Sequence, residues 1–488
     1  MPRFFWTRWL CDWAVSRLPG RLTKHTCRDF IEEHLFALTS RHHSLPNNEP
    51  PCSVGVELES FTYRIDPITR KAVSVSFQAA EDSLAPALIR AANAAGGQVC
   101  YVEEGGENPA KTVGAIAFSD GNSFTFEPGG QVEISTAPCD NLDELASNVE
   151  RMQDILKSVT QDAGISFAQI GAQPWFQSEE IGLQVRKQRY LAMDSYFDSI
   201  GPFGRRMMRQ TCSLQVNLEL GCEPSAFVRR FVGANLLSPF STAIFANSSV
   251  FAGKVQEQKS YRSFLWRRLD PRRTGIVGLG KSSSTFAVGD LVDAYLEFAL
   301  QAPLIYLDGV ASPLISPNFT WERWLREPLQ GHEPTTALLA NHLSLLFPEV
   351  RPRGHVEIRS IDVLPVEWQL VPASFYAGLL LPEKQLEKTL DCLLPLIPRM
   401  DVLLEQAPWG LASPELSSLA NRLMKLAIDG LVSLPKEFRG RGHLESLVSF
   451  YEGFTARGRT LADLTAAGYR ESMKHSDEVL TLSHNICV

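Results

Sequence analysis

The sequence predicts an α+β fold, in which a mainly antiparallel sheet presents one polar face and the C-terminal part of the chain is helical. The first three-quarters of the chain contain strands in which apolar and polar residues alternate, whereas a parallel sheet covered on both faces would need continuous apolar runs. From Pro382 onward, apolar residues recur at helical spacing between proline and glycine breaks. The polar face carries carboxylates, amides and arginines, so we expect it to line a wet cavity.

Composition narrows the class of protein. The 488 residues carry a net charge of −8, which argues against a nucleic-acid-binding protein that relies on a basic surface. The sequence has no uninterrupted apolar run of about 18 residues, so we expect no transmembrane helix. Nine cysteines without a CxxC pair favour a reducing compartment. We therefore predict a cytoplasmic protein with no nucleic-acid partner and no membrane span.

The first part of the chain is expected to form an N-terminal helical extension and loop, over residues 1–49. Within it, residues 26–36 have the spacing of a short amphipathic helix. The first predicted strand follows at Val54–Phe61. It places Glu57 and Glu59 on one face, because side chains alternate across a strand.

A second strand pair, at residues 124–138, carries more carboxylates. The Pro-Gly-Gly segment at 128–130 interrupts the alternation, because glycine tolerates backbone angles that are closed to other residues. The polar face carries Glu127, Gln131 and Glu133. Such residues are surface decoration in many proteins, but two strands of carboxylates would repel each other unless cations lay between them.

Further helices and strands follow in the chain. Helices are predicted at residues 82–95, at 142–163 with Asp140 as the N-cap, and at 227–247. Two more alternating strands are predicted at residues 209–220 and 351–362. Their polar faces present Ser213, Gln215 and Asn217 on the first, and His355, Glu357 and Arg359 on the second.

The carboxylates and one amide form an all-oxygen donor set, which suits Mg²⁺ or Mn²⁺ and not zinc. Ions held in this way commonly bind nucleotide phosphates. Four arginines are candidate anion clamps, because a guanidinium binds carboxylate or phosphate with two prongs. For any one of them a surface salt bridge is the alternative. The donor set is Glu57, Glu59, Glu133, Gln215 and Glu357, and the clamps are Arg189, Arg262, Arg273 and Arg359.

The segment Gly275–Ser282 matches the phosphate-loop pattern GxxxxGK[ST]. A true phosphate loop follows a buried strand, which Leu269–Thr274 does not resemble. We therefore interpret the segment as a flexible loop whose Lys281 reaches a phosphate. A phosphate-loop ATPase is the alternative. Lys281→Ala should abolish activity in such an ATPase, but only weaken an enzyme that holds its phosphates through metals.

Several stretches together resemble glutamate–cysteine ligases of the plant and proteobacterial type, within the wider carboxylate–amine ligase group. The resemblance covers about residues 50–381, and its combined motifs are more specific than any one of them. The stretches are Gly55–Glu59, Glu127–Ser135, Arg189–Tyr190, Met207–Leu218, Phe245–Ser248, Arg262–Trp266, Arg273–Gly275, Phe347–Arg351 and Val356–Arg359.

The resemblance implies a glutamine-synthetase-like fold, with a curved sheet that forms a funnel-shaped active site and helices on its outer face. It implies a catalytic ligase domain over residues 50–381 and a helical C-terminal region, 382–488, packed on it. The implied substrates are glutamate, cysteine and ATP, with Mg²⁺ or Mn²⁺. ATP would phosphorylate the γ-carboxylate of glutamate, and the cysteine amine would displace the phosphate. We expect a monomer or homodimer.

The resemblance also implies roles for individual residues. The implied metal ligands are Glu57, Glu59, Glu133, Gln215 and Glu357. The implied substrate-binding residues are Arg189, Tyr190, Ser213 and Arg262, and the implied nucleotide-binding residues are Gln131, Asn217 and Arg359. Lys281 is a further predicted nucleotide-binding residue, from the glycine-rich loop. Arg262 and Arg359 would be catalytic.

Two departures from the plant pattern concern the amine acceptor. Leu58 stands where the plant pattern usually has histidine, and residues 362–369 lack an expected pair of arginines. A γ-glutamyl ligase with another amine acceptor is therefore one alternative. A non-catalytic binding protein on the same fold is another, although such a protein would be expected to lose the metal carboxylates. The plant redox cysteines do not align, so we predict no redox switch.

Overall fold

The computed structural model describes residues 22–38, 52–103, 111–279, 286–307, 316–327, 329 and 331–474, with side chains to 471. Lys281 and most of the predicted N-terminal extension lie outside these residues. The helices are α1 (Lys24–Leu35), α2 (Leu84–Ala94), α3 (Leu142–Ala163), α4 (Ser178–Ile181), α5 (Gln188–Ile200), α6 (Phe203–Gln210), α7 (Pro224–Ile244), α8 (Tyr261–Trp266), α9 (Val288–Gln301), α10 (Trp321–Arg326), α11 (Thr336–Ser344), α12 (Val371–Leu380), α13 (Glu383–Leu393), α14 (Met400–Gln406), α15 (Pro414–Ser433), α16 (Lys436–Arg439), α17 (His443–Gly453) and α18 (Leu461–Lys474). The strands are β1 (Val54–Ile65), β2 (Ala72–Ser74), β3 (Gln98–Glu103), β4 (Lys111–Ala117), β5 (Ser123–Phe126), β6 (Val132–Ser135), β7 (Ser166–Ala168), β8 (Ser213–Leu218), β9 (Val250–Phe251), β10 (Lys254–Val255), β11 (Thr274–Gly275), β12 (Phe347–Pro348), β13 (Val350–Pro352) and β14 (Val356–Asp362).

One large sheet dominates the described part of the chain. Eight of its ten strands follow the order β13-β14-β8-β1-β6-β5-β4-β3, and the other two, β2 and β7, pair with β1. Every pairing within it is antiparallel. The path stays open, with β13 and β3 at its edges. The prediction of an α+β fold with a mainly antiparallel sheet and a helical C-terminal part is therefore confirmed.

Strand β1 runs through the centre of the sheet, and its register positions the polar side chains. Leu58 is buried in the apolar core, whereas Glu57 and Glu59 face the opposite side, as the alternation predicts. Glu57 lies opposite Gln215 of β8, and Glu59 lies opposite Glu133 of β6. Because directly opposed residues share a face, three strands present their polar groups to one cavity.

The hairpin formed by β5 and β6 confirms the predicted interruption at residues 128–130. The apolar residues of both strands are buried, so the polar residues between them face the cavity. Gly130 has φ of +82°, a conformation that favours glycine. At Gly129 a Cβ atom would lie 2.8 Å from the backbone of Arg209, so only glycine fits this approach.

Two local predictions need correction. Asp140 is not the N-cap of α3, because Asn141 holds that position and accepts a hydrogen bond from the Glu144 amide at 2.8 Å. The predicted strand at 351–362 is two strands, β13 and β14. They are separated by a turn in which Gly354 has φ of +71°. The predicted domain boundaries stay a prediction.

The C-terminal helices pack very closely where α12 crosses α15. A Cβ atom on Gly430 would lie 1.8 Å from the carbonyl oxygen of Gly378, and one on Gly378 would lie 2.2 Å from that of Ala427. The two helix backbones therefore touch. No helix among the described residues is long and apolar enough to cross a membrane.

We expect Gly430→Ala to lower the free energy of unfolding by about 1–3 kcal/mol, because a methyl group at this crossing forces the helices apart. Chemical denaturation of the variant and the parent protein measures the difference. The matched control is Gly453→Ala near the end of α17, where a Cβ atom would meet nothing within 4 Å. Equal stability of Gly430→Ala and the parent protein would contradict the close crossing.

Candidate active site

A cavity of about 450 Å³ lies on the polar face of the sheet. It receives side chains from β1, β5, β6, β8, β12, β13 and β14, and its remaining walls come from helices and loops. The predicted site residues that line it are Glu57, Glu59, Gln131, Glu133, Arg189, Tyr190, Ser213, Gln215, Arg262, Glu357 and Arg359. The structure thus brings together residues that are distant in the chain.

One wall of the cavity, which we call the acidic wall, consists of Glu57, Glu59, Glu127 and Glu133. Burial, with the nearby charge of Glu127, raises the pKa of Glu59 to about 7. Burial and the repulsion of the other three carboxylates raise the pKa of Glu133 well above its usual value. Burial and the charge of Glu357 also raise the pKa of Glu57. Carboxylates that repel one another in this way are stabilised by a bound cation.

Neighbouring polar side chains fix the orientation of these carboxylates. Ser213 donates to Glu59 through its amide and its hydroxyl, each at 2.7 Å. Asn217 donates to Glu57 at 3.1 Å, and Thr125 donates to Glu133. Ser213 and Asn217 therefore orient carboxylates in this structure, and their predicted contacts with substrate and nucleotide stay predictions.

The side-chain amide of Gln131 forms hydrogen bonds with main-chain groups through both its oxygen and its nitrogen. Its oxygen accepts from the amide of Gly129 at 2.9 Å, and its nitrogen donates to the carbonyl oxygens of Met208 and Thr211 at 3.2 and 3.1 Å. The geometry favours a role for Gln131 in holding the β5–β6 turn against α6. Both donors of its side-chain amide are used, so its predicted contact with the nucleotide would use the second lone pair of its oxygen.

A second wall, which we call the basic wall, is formed by Arg351, Arg353 and Arg359 around Glu357. Arg351 Nη1 and Arg353 Nε each lie 2.9 Å from the Glu357 carboxylate, and Arg359 also donates to it. Burial alone would raise the pKa of Glu357, but the three guanidinium groups hold it below its usual value. One negative charge among three positive ones leaves this wall with a net positive charge, which suits phosphate.

The basic wall also bears on the predicted metal ligands. Gln215 accepts a hydrogen bond from Arg359 at 2.7 Å, so both Gln215 and Glu357 are already bonded to Arg359. Within the described part of the chain, no group of three Asp, Glu, His or Cys side chains is arranged to hold a metal ion by itself. Mg²⁺ is, however, usually bound by one or two carboxylates together with waters and substrate phosphates. The all-oxygen acidic wall nevertheless fits Mg²⁺ by its donor chemistry and its mutual repulsion. Arg359 bonds only Oε1 of Glu357, and the amide oxygen of Gln215 has a second lone pair, so either residue could coordinate a metal while it stays bonded to Arg359.

Two cationic side chains project into the cavity from the start of α5. Arg189 has a buried Nε without a hydrogen-bond partner, and its guanidinium lies 5.8 Å from the ring centre of Tyr190. Lys187 has one long hydrogen bond, 3.5 Å from Nζ to the carbonyl oxygen of Gly114. Burial lowers the pKa of Lys187, although Glu127 opposes the shift. Both groups are therefore available to an anionic ligand.

Two of the predicted anion clamps have different environments. Arg262 is buried at the cavity, where Nη2 donates to the carbonyl oxygen of Arg359 at 2.6 Å. Arg273 is fully buried and bonded to Asp270 and to two main-chain carbonyl oxygens, so the interpretation of Arg273 as an anion clamp is wrong. It stabilises the fold beneath β11 and β12.

Several cavity residues were absent from the predicted site. The sequence pattern did place Glu127 on the polar face with Glu133, but Glu127 was not among the predicted metal ligands. Arg351 and Arg353 precede Glu357 by six and four residues, so the same pattern could have indicated them. Leu35, at the end of α1, also lines the cavity. No local signal connects α1 to the site, because it reaches the cavity only through tertiary packing.

This cavity, with its acidic and basic walls, lies on a sheet whose fold is that of carboxylate–amine ligases. The structure of glutamate–cysteine ligase from Francisella tularensis in complex with AMP matches 90% of this chain and 89% of that chain. The TM-score is 0.52 at 12% identity, which supports the shared fold. Residues 54–440 match the model of glutamate-cysteine ligase family 2. The chain therefore belongs to the glutamate–cysteine ligase family, as its sequence motifs predicted.

Curated plant relatives give the same family. The chloroplastic glutamate–cysteine ligase of Medicago truncatula is 30% identical over 376 residues, which are 73% of this chain and 71% of that protein. The chloroplastic enzyme of Brassica juncea is 32% identical over 320 residues, 63% of this chain and 60% of that protein. The chain thus spans from three-fifths to seven-tenths of these relatives.

The prediction of a cytoplasmic location is wrong by this comparison, because these relatives are named as chloroplastic proteins. The prediction rested on the dilute cysteines and the absence of a long apolar run. Those features indicate the redox state of a compartment and the lack of a membrane helix, but they do not distinguish one reducing compartment from another.

The departure at Leu58 does not alter the cavity directly. Leu58 is buried on the apolar face of β1, where it pairs with Ile134 and Leu214. A side chain at this position points away from Glu57 and Glu59. The difference from the plant pattern therefore concerns core packing, and it gives no direct reason for another amine acceptor.

Proposed function

We propose that the protein is an ATP-dependent ligase that joins the γ-carboxylate of glutamate to the amine of cysteine through a γ-glutamyl phosphate. The observation that supports this most strongly is the pairing of an acidic wall with a basic wall in one cavity, in a chain of this family. An acidic wall fits metal-bound phosphates, and a basic wall fits the transferred phosphoryl group. The guanidinium groups of Arg189 and Arg262, which also line the cavity, fit the carboxylates of a substrate.

The acidic wall would hold Mg²⁺ or Mn²⁺ through Glu57, Glu59 and Glu133, with Glu127 beside them. Bound there, the metal would neutralise the charge of the ATP phosphates. Ser213, Asn217 and Thr125 already orient three of these carboxylates. Gln215 and Glu357 would be further ligands, through the second lone pair of the Gln215 oxygen and through Oε2 of Glu357, neither of which bonds Arg359.

Glutamate would be held by Arg189 and Arg262. Glutamate has two carboxylates, one of which must stay inert while the other is phosphorylated. A two-pronged guanidinium contact fixes both the position and the orientation of the inert carboxylate. Arg189 has a buried Nε that lacks a protein partner, and Tyr190 supports it through its ring. The hydroxyl of Tyr190 donates to the carbonyl oxygen of Phe126 at 3.3 Å, which fixes the ring.

The second half of the reaction would occur in the same cavity. The amine, after loss of a proton, attacks the carbonyl carbon of the acyl phosphate, and the bond from that carbon to the phosphate oxygen breaks. Arg359 and its neighbours on the basic wall would stabilise the phosphate that leaves. Exclusion of water from the cavity during the reaction would protect the acyl phosphate from hydrolysis.

A phosphate-release assay tests the proposal. The protein is incubated with ATP, Mg²⁺ and glutamate, and a panel of amines is added one at a time. We expect cysteine to stimulate phosphate release more than any other amine, with formation of γ-glutamylcysteine. Stimulation by a different amine alone would assign another acceptor. If no amine stimulated glutamate-dependent release, the proposed ligase activity would be contradicted. We propose a monomer or homodimer, which sedimentation measures.

A further inference from the structure

A buried carboxylate lies directly behind Arg262, outside the cavity. Asp362 is the last residue of β14, and its side chain is fully buried. Its Oδ1 atom lies 3.7 Å from Nη1 of Arg262, which forms a buried ion pair. An ion pair at this depth lacks screening by water, so the position of one charge strongly influences that of the other.

Asp362 is itself held by three donors from the segment that leads into α8. The amide of Asn247 donates to it at 2.8 Å, and the hydroxyls of Ser248 and Ser260 donate at 2.6 and 2.9 Å. These bonds satisfy both oxygens of the carboxylate, so its position is fixed. Gly171 leaves room for it, because a Cβ atom there would lie 2.6 Å from Asp362 Cγ.

The same serines also hold the main chain around Arg262. Ser248 Oγ accepts a hydrogen bond from the Arg262 amide at 3.1 Å. Ser260 is the N-cap of α8, and its hydroxyl accepts from the Ser263 amide at 3.2 Å. Asp362 is therefore connected to Arg262 by two routes, directly to its guanidinium and through Ser248 to its backbone.

We propose that Asp362 is a positioning residue, which sets the orientation of the Arg262 guanidinium toward the glutamate substrate. The inference rests on the proposed role of Arg262 in glutamate binding. Arg262 has one further described side-chain contact, with the carbonyl oxygen of Arg359, and that oxygen carries no full charge. Without Asp362 the guanidinium would lose its charged partner and one of the two anchors that define its plane.

The test compares Asp362→Asn with the parent protein, because asparagine keeps the size of the side chain and removes its charge. We expect the KM for glutamate to rise about tenfold, while the KM for ATP changes less than twofold. In an Arg262→Lys background, Asp362→Asn should change the KM for glutamate less than twofold. The effects of two substitutions are not additive when one residue acts through the other. Full additivity, or an equal rise in both KM values, would overturn the inference.

Two controls separate the possible failures. If Asp362→Asn does not fold, Ser248→Ala tests the same connection with a smaller change. It should raise the KM for glutamate several-fold in the parent protein and not in the Arg262→Lys background. Ser241→Ala is the matched control, because Ser241 is also buried but forms hydrogen bonds with Ser360 and Tyr376. The KM values of this variant for glutamate and ATP should stay unchanged. If Arg262→Lys itself left the KM for glutamate unchanged, the proposed substrate role of Arg262 would fail instead.

Discussion

Glu57→Gln or Glu133→Gln is expected to lower turnover by about 10²-fold or more, while the fold survives. Each substitution removes a charge from the acidic wall, where a metal would stabilise the phosphoryl transition state by several kcal/mol. The fold should survive because burial and mutual repulsion raise the pKa of both carboxylates, so a neutral side chain of the same size relieves strain. Steady-state turnover at saturating Mg²⁺ measures the effect.

The control for this prediction is Glu219→Gln. Glu219 is also buried and lies just beyond β8, but it accepts a hydrogen bond from the Ser53 amide at 3.0 Å and does not line the cavity. Its turnover should stay close to that of the parent protein. Thermal unfolding gives a second readout, since Mg²⁺ should stabilise the parent protein more than Glu57→Gln or Glu133→Gln. Near-normal turnover of both variants at saturating Mg²⁺ would show that the metal assignment is wrong.

Arg262→Lys is expected to raise the KM for glutamate by roughly ten- to hundredfold, since charge-assisted contacts contribute about 1.5–3 kcal/mol. Lysine keeps the positive charge but loses the planar fork that orients a carboxylate. The KM for ATP should change little, because the proposal assigns the phosphates to the acidic-wall metals and to Arg359. Separate titrations of glutamate and ATP measure the two constants.

The matched control is Arg267→Lys, directly after the last residue of α8. Arg267 pairs with Glu405 at 2.9 Å, and it does not line the cavity, so neither constant should change. A loss of ATP affinity in Arg262→Lys with normal glutamate affinity would place Arg262 in the nucleotide site. The proposed orientation of the substrates in the cavity would then be reversed.

Much of the cavity could be predicted from the sequence because half-buried strands have a two-residue period. That period alone places Glu57 and Glu59 on one face of their strand, and Glu357 and Arg359 on one face of theirs, whatever the neighbouring strands are. The motifs of the family added the reaction class. The ends of helices and strands were harder to predict. Asp140 and Asn141 are both good N-cap residues, and which of them caps α3 depends on the backbone conformation of a single residue.

The sequence by itself determined the fold class, the polar face of each strand and the family of the protein, because these are carried by local periodicity and by contiguous motifs. Only the tertiary structure decided which charges meet. Arg273 forms a buried ion pair with Asp270, whereas Arg189 remains available to an anionic ligand in the cavity. Asp362 lies behind Arg262, although the two are far apart in the chain. The sequence alone does not identify the charged partner of an arginine. Its role depends on which carboxylate the fold brings within a few ångströms of its guanidinium.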